Sequence, residues 1–268
     1  MGKTTPQLKR RIRPLLAPFA AVAAGLAALA LLADSHRIQL LGSHRAELSA
    51  TGRVVALSFD DGPNPRSTAA ILAELRRWQA PATFFLIGRR IEQQPQLARR
   101  ILLAGHQIGN HSYSHPRMVL ERPKAYGEEI DRTDRLIRGL GYRGVIDFRP
   151  PYGQKLLVLP WLLAQRGKQD VLWSLDSRDY LDPDPASIAR RVLRRVRPGS
   201  IVLLHDSPRT AKALPALLSG LRSRGYRLVR VREPQPGSGA PASGRPREAD
   251  VEAAQVGLQA GVLDWQQP

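Results

Sequence analysis

The chain has no cysteine in its 268 residues. Disulfides, thiolate zinc sites and thiol nucleophiles are therefore excluded, although this absence does not assign a compartment. Acid is scarce: 23 Asp and Glu stand against 41 Lys and Arg, a formal charge of +18. Such a surface suits polyanions, yet no nucleic-acid motif accompanies it and no nucleic-acid partner is expected. The basic run RRVLRRVR at 190–197 carries Ile188, Val192, Leu193 and Val196 at helical spacing. It reads as an amphipathic helix with a solvated basic face.

Long apolar stretches are equally few. LLAPFAAVAAGLAALALLA at 15–33 is uncharged over 19 positions and follows Lys3, Lys9, Arg10, Arg11 and Arg13. A bilayer span needs roughly 20 apolar residues and a cleavable signal about 7–15, so the length predicts an uncleaved anchor. The alternative is a signal cut near Ala28-Leu29-Ala30. Either way the basic end stays inside and the rest is exported, facing the periplasm or cell exterior, with the inner membrane as partner of 15–33. The domains expected are 1–33 anchor or signal, 34–52 linker, 53–232 folded domain and 233–268 flexible tail. The tail assignment rests on REPQPGSGAPASGRPREAD, rich in Pro, Gly, Ser and Ala.

Between 53 and 232 strand-like and helix-like segments alternate. VVALSF precedes RSTAAILAELRRW, in which Ile71, Leu72, Leu75 and Trp78 share a face. ATFFLIG, HQIGNHS, DVLWSLD, SIVLLHD and YRLVRV are strand-like, and each is separated from the next by a helical pattern. That alternation predicts an α/β sheet or barrel.

Polar residues recur at one place in this pattern, the C-terminal ends of the strands. Asp60 and Asp61 end the first, His111 and His115 follow the strand around Ile108, and Arg149 follows VIDF. Asp176 and Asp179 follow VLWSL, and His205 and Asp206 follow SIVLL. In a β/α barrel these ends meet at one face, where active sites are built. The HSYSH spacing lets both imidazoles face one way, and Pro116 predicts a turn at a helix start there. Two imidazoles and a carboxylate leave positions open for water, the pattern of a catalytic zinc site. Adjacent Asp60 and Asp61 would repel unless a cation and a nearby Arg relieved them.

These residues resemble the metal-dependent polysaccharide deacetylases with a NodB-type domain, carbohydrate esterase family 4. SFDDGP, HSYSH, RPPYG, WSLDSRDY and VLLHD are similar to the family's five motifs, in order, across about 53–232. The resemblance implies a distorted (β/α) barrel with about seven repeats, here preceded by an N-terminal hydrophobic helix. It implies removal of N-acetyl groups from N-acetylglucosamine units of peptidoglycan or a chitin-like polymer. It assigns Asp60 as base, His205 as acid, Arg149 and Asp179 as their supports, and Asp61, His111 and His115 as ligands of a divalent metal. Zinc is expected, with cobalt or manganese as alternatives. Tyr152, Pro151, Trp173, Tyr180 and Leu204 take the substrate-binding assignment. Tyr180 stands where the family often has Trp, and Val202 where it often has Leu. The alternatives to this reading are a non-catalytic glycan-binding envelope protein and a hydrolase of another acetylated sugar or small amide.

Overall fold

The computed structural model describes Ala21, Gly25, residues 42–49 and residues 51–232. The anchor and hydrophobic helix expected at 15–33 lie outside the described residues apart from Ala21 and Gly25, both helical. The tail from 233 lies outside them as well. Among the described residues no helix is long and apolar enough to cross a membrane.

The elements run β1 (His44–Arg45), β2 (Val54–Gly62), α1 (Thr68–Arg77), β3 (Thr83–Leu86), α2 (Gly88–Gln93), α3 (Pro95–Leu103) and β4 (Gln107–Asn110). They continue α4 (Pro123–Gly139), α5 (Val158–Gln165), β5 (Asp170–Val171), β6 (Leu175–Asp176), α6 (Pro185–Arg195), β7 (Ile201–His205), α7 (Pro208–Ser223) and β8 (Arg227–Val229). This is the expected (β/α) barrel, with seven α-helices among the described residues. His44–Arg45, within the segment read as linker, pairs with β5, and Glu47 bridges Ser200.

All paired strands are parallel, so each pair needs a helical crossover. The main sheet runs β4-β3-β2-β7-β6. It closes into a ring through one residue: Phe148 bridges Asn110 of β4 and Asp170 of β5. The continuous stretch 170–176 then carries the chain from β5 to β6, which pairs with β7. Ala56 pairs with both β7 and β8, so β8 occupies the edge of β2 that β3 takes further along.

Alternation along β2 sorts its side chains into two layers. Val55, Leu57 and Phe59 join the large core against the helices, with Ile71, Leu75, Val202, Leu204 and Leu217. Phe59 stacks on Phe84 at 4.9 Å. Val54 and Ala56 point the other way, into the barrel, with Phe85, Val171 and Ile201. Continuing that inner face, the next residues are Ser58 and Asp60. The barrel interior therefore turns from apolar to charged along a single strand. Two helices that flank the site carry clear start signals. Asp184 accepts the Ala186 and Ser187 N–H groups ahead of Pro185, and Ser207 accepts the Thr210 N–H ahead of Pro208.

Candidate active site

Regular alternation would send Asp61 outward. The chain avoids this with a register irregularity between Asp60 and Gly62 and a left-handed Asp61, φ 68°. Both carboxylates thus reach one pocket, as the break expected at Gly62 requires. Arg90 Nη1 donates to the Asp61 carbonyl and holds this conformation.

The HSYSH segment forms the predicted turn, but no helix starts there; the next helix begins only at Pro123. Ser112 and His115 are both left-handed, at φ 63° and 64°, and fold the segment into a tight loop. Asn110 Oδ1 accepts the Ser112 N–H, and Ser112 Oγ accepts the His115 N–H. Glu129 of α4 accepts the Tyr113 and Ser114 N–H groups at 2.8 Å each. A half-buried carboxylate from a neighbouring helix therefore replaces the missing helical hydrogen bonds.

The loop brings His111, His115 and Asp61 together. His111 and His115 Nε2 lie 3.6 and 3.4 Å from Asp61 Oδ1, and the three ligand atoms are all within 4.8 Å of one another. His111 Nδ1 is 2.7 Å from the Arg149 carbonyl, which can only accept. Nδ1 therefore carries a proton, and Nε2 is the nitrogen turned toward Asp61. Asp61 Oδ1 is buried with no hydrogen-bond partner. An orphaned carboxylate oxygen between two imidazole nitrogens fits a divalent cation: two nitrogen donors and one oxygen donor suit zinc with positions left open. Burial opposes ionisation of Asp61, but His111, His115, His205 and Arg90 outweigh it and hold the carboxyl below its ordinary range. Burial, with His111 adding to it, pushes His115 down to about 4, so it is a neutral ligand near pH 7.

Asp60 is 3% exposed and turns to the other side. Its Oδ1 accepts from Arg149 Nη1 at 2.7 Å, and Oδ2 lies 3.8 Å from His111 Nε2. Arg149 is fully buried. Its fork is spent on Ser58 Oγ and on the carbonyls of Val171 and Leu172 as well as Asp60, with the guanidinium 4.1 Å from the Phe85 ring. It is a fixed cation beside the carboxylate.

Directly across the β2–β7 pair, Asp60 and His205 are register partners. Asp179 Oδ1 lies 2.7 Å from His205 Nδ1, and Oδ2 accepts the His205 N–H and the Thr210 hydroxyl. Burial alone would depress His205, but the hydrogen bond and charge of Asp179 raise it to about 9. His205 is therefore an imidazolium at neutral pH with Nδ1 occupied.

The other residues expected at the site are placed unevenly. Tyr152, left-handed at φ 60° in the turn Pro151–Gly153, is 53% exposed and packs its ring 4.9 Å from that of His115. Pro151 is buried beside it. Tyr180, 50% exposed, packs edge-on to His205 at 5.3 Å and donates its hydroxyl to Asp176. Two tyrosines thus flank the ligand triad and the acid. Trp173 packs against the inner core with its ring 5.6 Å from the Arg149 guanidinium. Leu204 is not brought to the site: it shares the helix-facing parity of Val202 and is fully buried in the outer core.

Sequence reading named Asp206 but gave it no role. It is buried, accepts from Ser67 Oγ at 2.7 Å and Thr68 Oγ1 at 2.5 Å, and its N–H donates to the Asp60 carbonyl. It ties the loop after Asp61 to the strand end that carries His205. Ser58, Asn110 and Glu129 were not singled out at all. Nothing in their spacing distinguishes them from ordinary strand and helix residues.

Comparison with known proteins finds relatives of the whole folded region. Residues 48–169 match the family model for polysaccharide deacetylase. A peptidoglycan-N-acetylglucosamine deacetylase of Bacillus cereus is 35% identical, covering 70% of this chain and 96% of that protein. This chain belongs to the polysaccharide deacetylase family. A peptidoglycan-N-acetylmuramic acid deacetylase of Bacillus subtilis is 37% identical over 67% of the chain, which spans only 38% of that longer protein. Among solved structures, a family 4 carbohydrate esterase from Streptomyces lividans in complex with acetate superposes with a TM-score of 0.63. It is 35% identical, with 67% of this chain and 93% of that one covered. The deacetylase is thus a hydrolase with the fold of its relatives.

Proposed function

We propose that this deacetylase removes N-acetyl groups from N-acetylglucosamine units of a cell-envelope polysaccharide, peptidoglycan or a chitin-like oligosaccharide. The observation that carries the reading is the division of labour between two adjacent carboxylates. Asp61 Oδ1 is left without a hydrogen bond between two imidazoles, while Asp60 Oδ1 is locked to Arg149. Asp61, His111 and His115 would hold a divalent cation, zinc or else cobalt or manganese. That cation would polarise the acetyl carbonyl and make a bound water more acidic.

The remaining work falls to the chain itself. Asp60 Oδ2, free of Arg149, takes a proton from the attacking water, and the Arg149 bond to Oδ1 holds the carboxylate in place. The Tyr152 N–H is the proposed donor to the oxyanion. As the carbon–nitrogen bond breaks, the His205 imidazolium gives its Nε2 proton to the nitrogen, and acetate and the free amine leave. Asp179 fixes which His205 nitrogen faces the substrate. The enzyme acts outside the cytoplasm, held at the inner membrane by 15–33. The uncharged run behind a basic N-terminus and the envelope substrates named for the relatives support that reading.

Acetate release from peptidoglycan and from chitooligosaccharides by metal-loaded protein tests the proposal. Asp60→Asn is expected to retain metal and lose about 10²–10⁴-fold in kcat. His111→Ala is expected to lose metal in equilibrium dialysis. Metal-loaded parent protein that releases no acetate from either glycan overturns the reading.

A further inference from the structure

Two arginines near the site stack on tyrosines, and they differ in one respect. Arg132 lies 3.7 Å from the Tyr113 ring and is also ion-paired with Glu92 at 3.1 Å. Arg117 lies 4.5 Å from the Tyr152 ring, and Nη1 donates to Gln154 Oε1 at 2.8 Å. No ion pair joins Arg117 to a carboxylate among the described residues. It is exposed, two residues past His115, and the Tyr152 ring between them packs against both.

Arg117 is thus a guanidinium oriented by an aromatic face and a neutral amide. A guanidinium fork matches a carboxylate by two parallel hydrogen bonds, and one lacking an internal acid retains that capacity. We propose that Arg117 binds a carboxylate of the substrate glycan, on a unit next to the sugar that loses its acetyl group. The favoured substrate is then an acidic glycan and not a neutral chitin-like one, in keeping with the excess of base over acid in the chain. Neutral Gln154 suits this role: it orients the fork without neutralising it. The inference rests on the deacetylase reading and narrows its substrate.

The test compares acetate release from three oligosaccharides of equal length: carboxylate-bearing peptidoglycan fragments, the same fragments with carboxyls amidated, and chitooligosaccharides. For Arg117→Met, the ratio of kcat/KM on the acidic over the amidated fragments is expected to fall roughly tenfold, mostly through KM. Arg117→Lys should recover part of that ratio. Arg194→Met, an equal charge loss on the exposed last turn of α6, should leave the ratio unchanged. An Arg117→Met ratio equal to that of the parent overturns the proposal, as does parent protein that prefers chitooligosaccharides. Equilibrium binding of the acidic fragment to metal-stripped protein separates the two readings. Arg117-dependent binding without turnover in the loaded parent supports this site and sinks the deacetylase reading. Arg117-independent binding with turnover does the reverse.

Discussion

At the N-terminal ends of the strands, buried Asp147 accepts from Arg232 at 2.9 and 2.7 Å and from Gln107 at 3.2 Å. At the C-terminal ends, buried Asp61 Oδ1 accepts nothing. The backbones differ in the same direction. Seven non-glycine residues have positive φ among the described residues, and Asp61, Ser112, His115, Tyr152 and Arg178 are all at this end. One end of the barrel is electrostatically closed and regular; the other keeps a donor set open and accepts strain. Strained backbone clusters where a ligand is to be received, and the surrounding structure has to hold it in place. Glu129, Asn110, Arg90 and Asp206 do that holding here. The closed end contributes stability without chemistry.

That contrast can be broken at either end. The largest effect is expected from Asp179→Asn. With the carboxylate gone, burial, the largest influence on His205, is opposed only by the more distant charges of Asp60 and Asp61, and its pKa falls from the parent value. His205 acts as imidazolium, so activity is present below its pKa and lost as pH rises through it. In the parent the alkaline limb of kcat is therefore expected near 9. In Asp179→Asn the limb should move to acid, with about a 10²-fold loss of kcat at neutral pH. A kcat–pH profile with an unmoved limb would exclude the assigned pairing.

Next in size, Asp147→Ala at the closed end removes the partner of Arg232. Loss of one member of a buried pair costs about 3–5 kcal/mol, and the partial exposure of Arg232 puts this one at the low end. Urea unfolding should show that loss, while metal content in dialysis stays at the parent level. Metal loss in step with stability would mean that the two ends are not independent.

The smallest effect concerns His106, whose Nδ1 accepts the Ala82 N–H at the start of β3 and β4. Burial, with Arg230 adding to it, pushes its pKa down to about 4. The unfolded chain protonates first, so this contribution is full above 6.5 and lost as pH falls from 6.5 toward 4. About 2–3 kcal/mol should disappear across that window in denaturant titrations. His106→Gln should flatten the dependence, and an unchanged slope would assign it elsewhere.

The strands and helices were legible because their apolar periods differ, and the motif residues were legible because polar side chains at strand ends have few structural reasons to be there. Ser58 could not be read that way: one serine in an apolar strand gives no sign that it accepts from a buried Arg149. Glu129 sits among the charges of α4 and resembles its solvated neighbours, yet it organises the His111–His115 loop. The turn expected at HSYSH is there, but no helix starts at it, because left-handed residues and a long-range carboxylate, neither encoded by local propensity, set that loop. Leu204 was misplaced because motif membership does not report parity, and its neighbour His205 holds the inward position.

The β2–β7 pairing has a consequence for assembly. Asp60 and His205 meet only across two strands whose paired residues, such as Asp60 and His205 themselves, are far apart in sequence. Asp61, His111 and His115, by contrast, all lie between β2 and the loop after β4. During synthesis the proposed metal ligands therefore all emerge well before the proposed acid, and proton delivery becomes available only once β7 has docked beside β2. Hydrolysis thus reports that the ring is shut, and metal uptake does not.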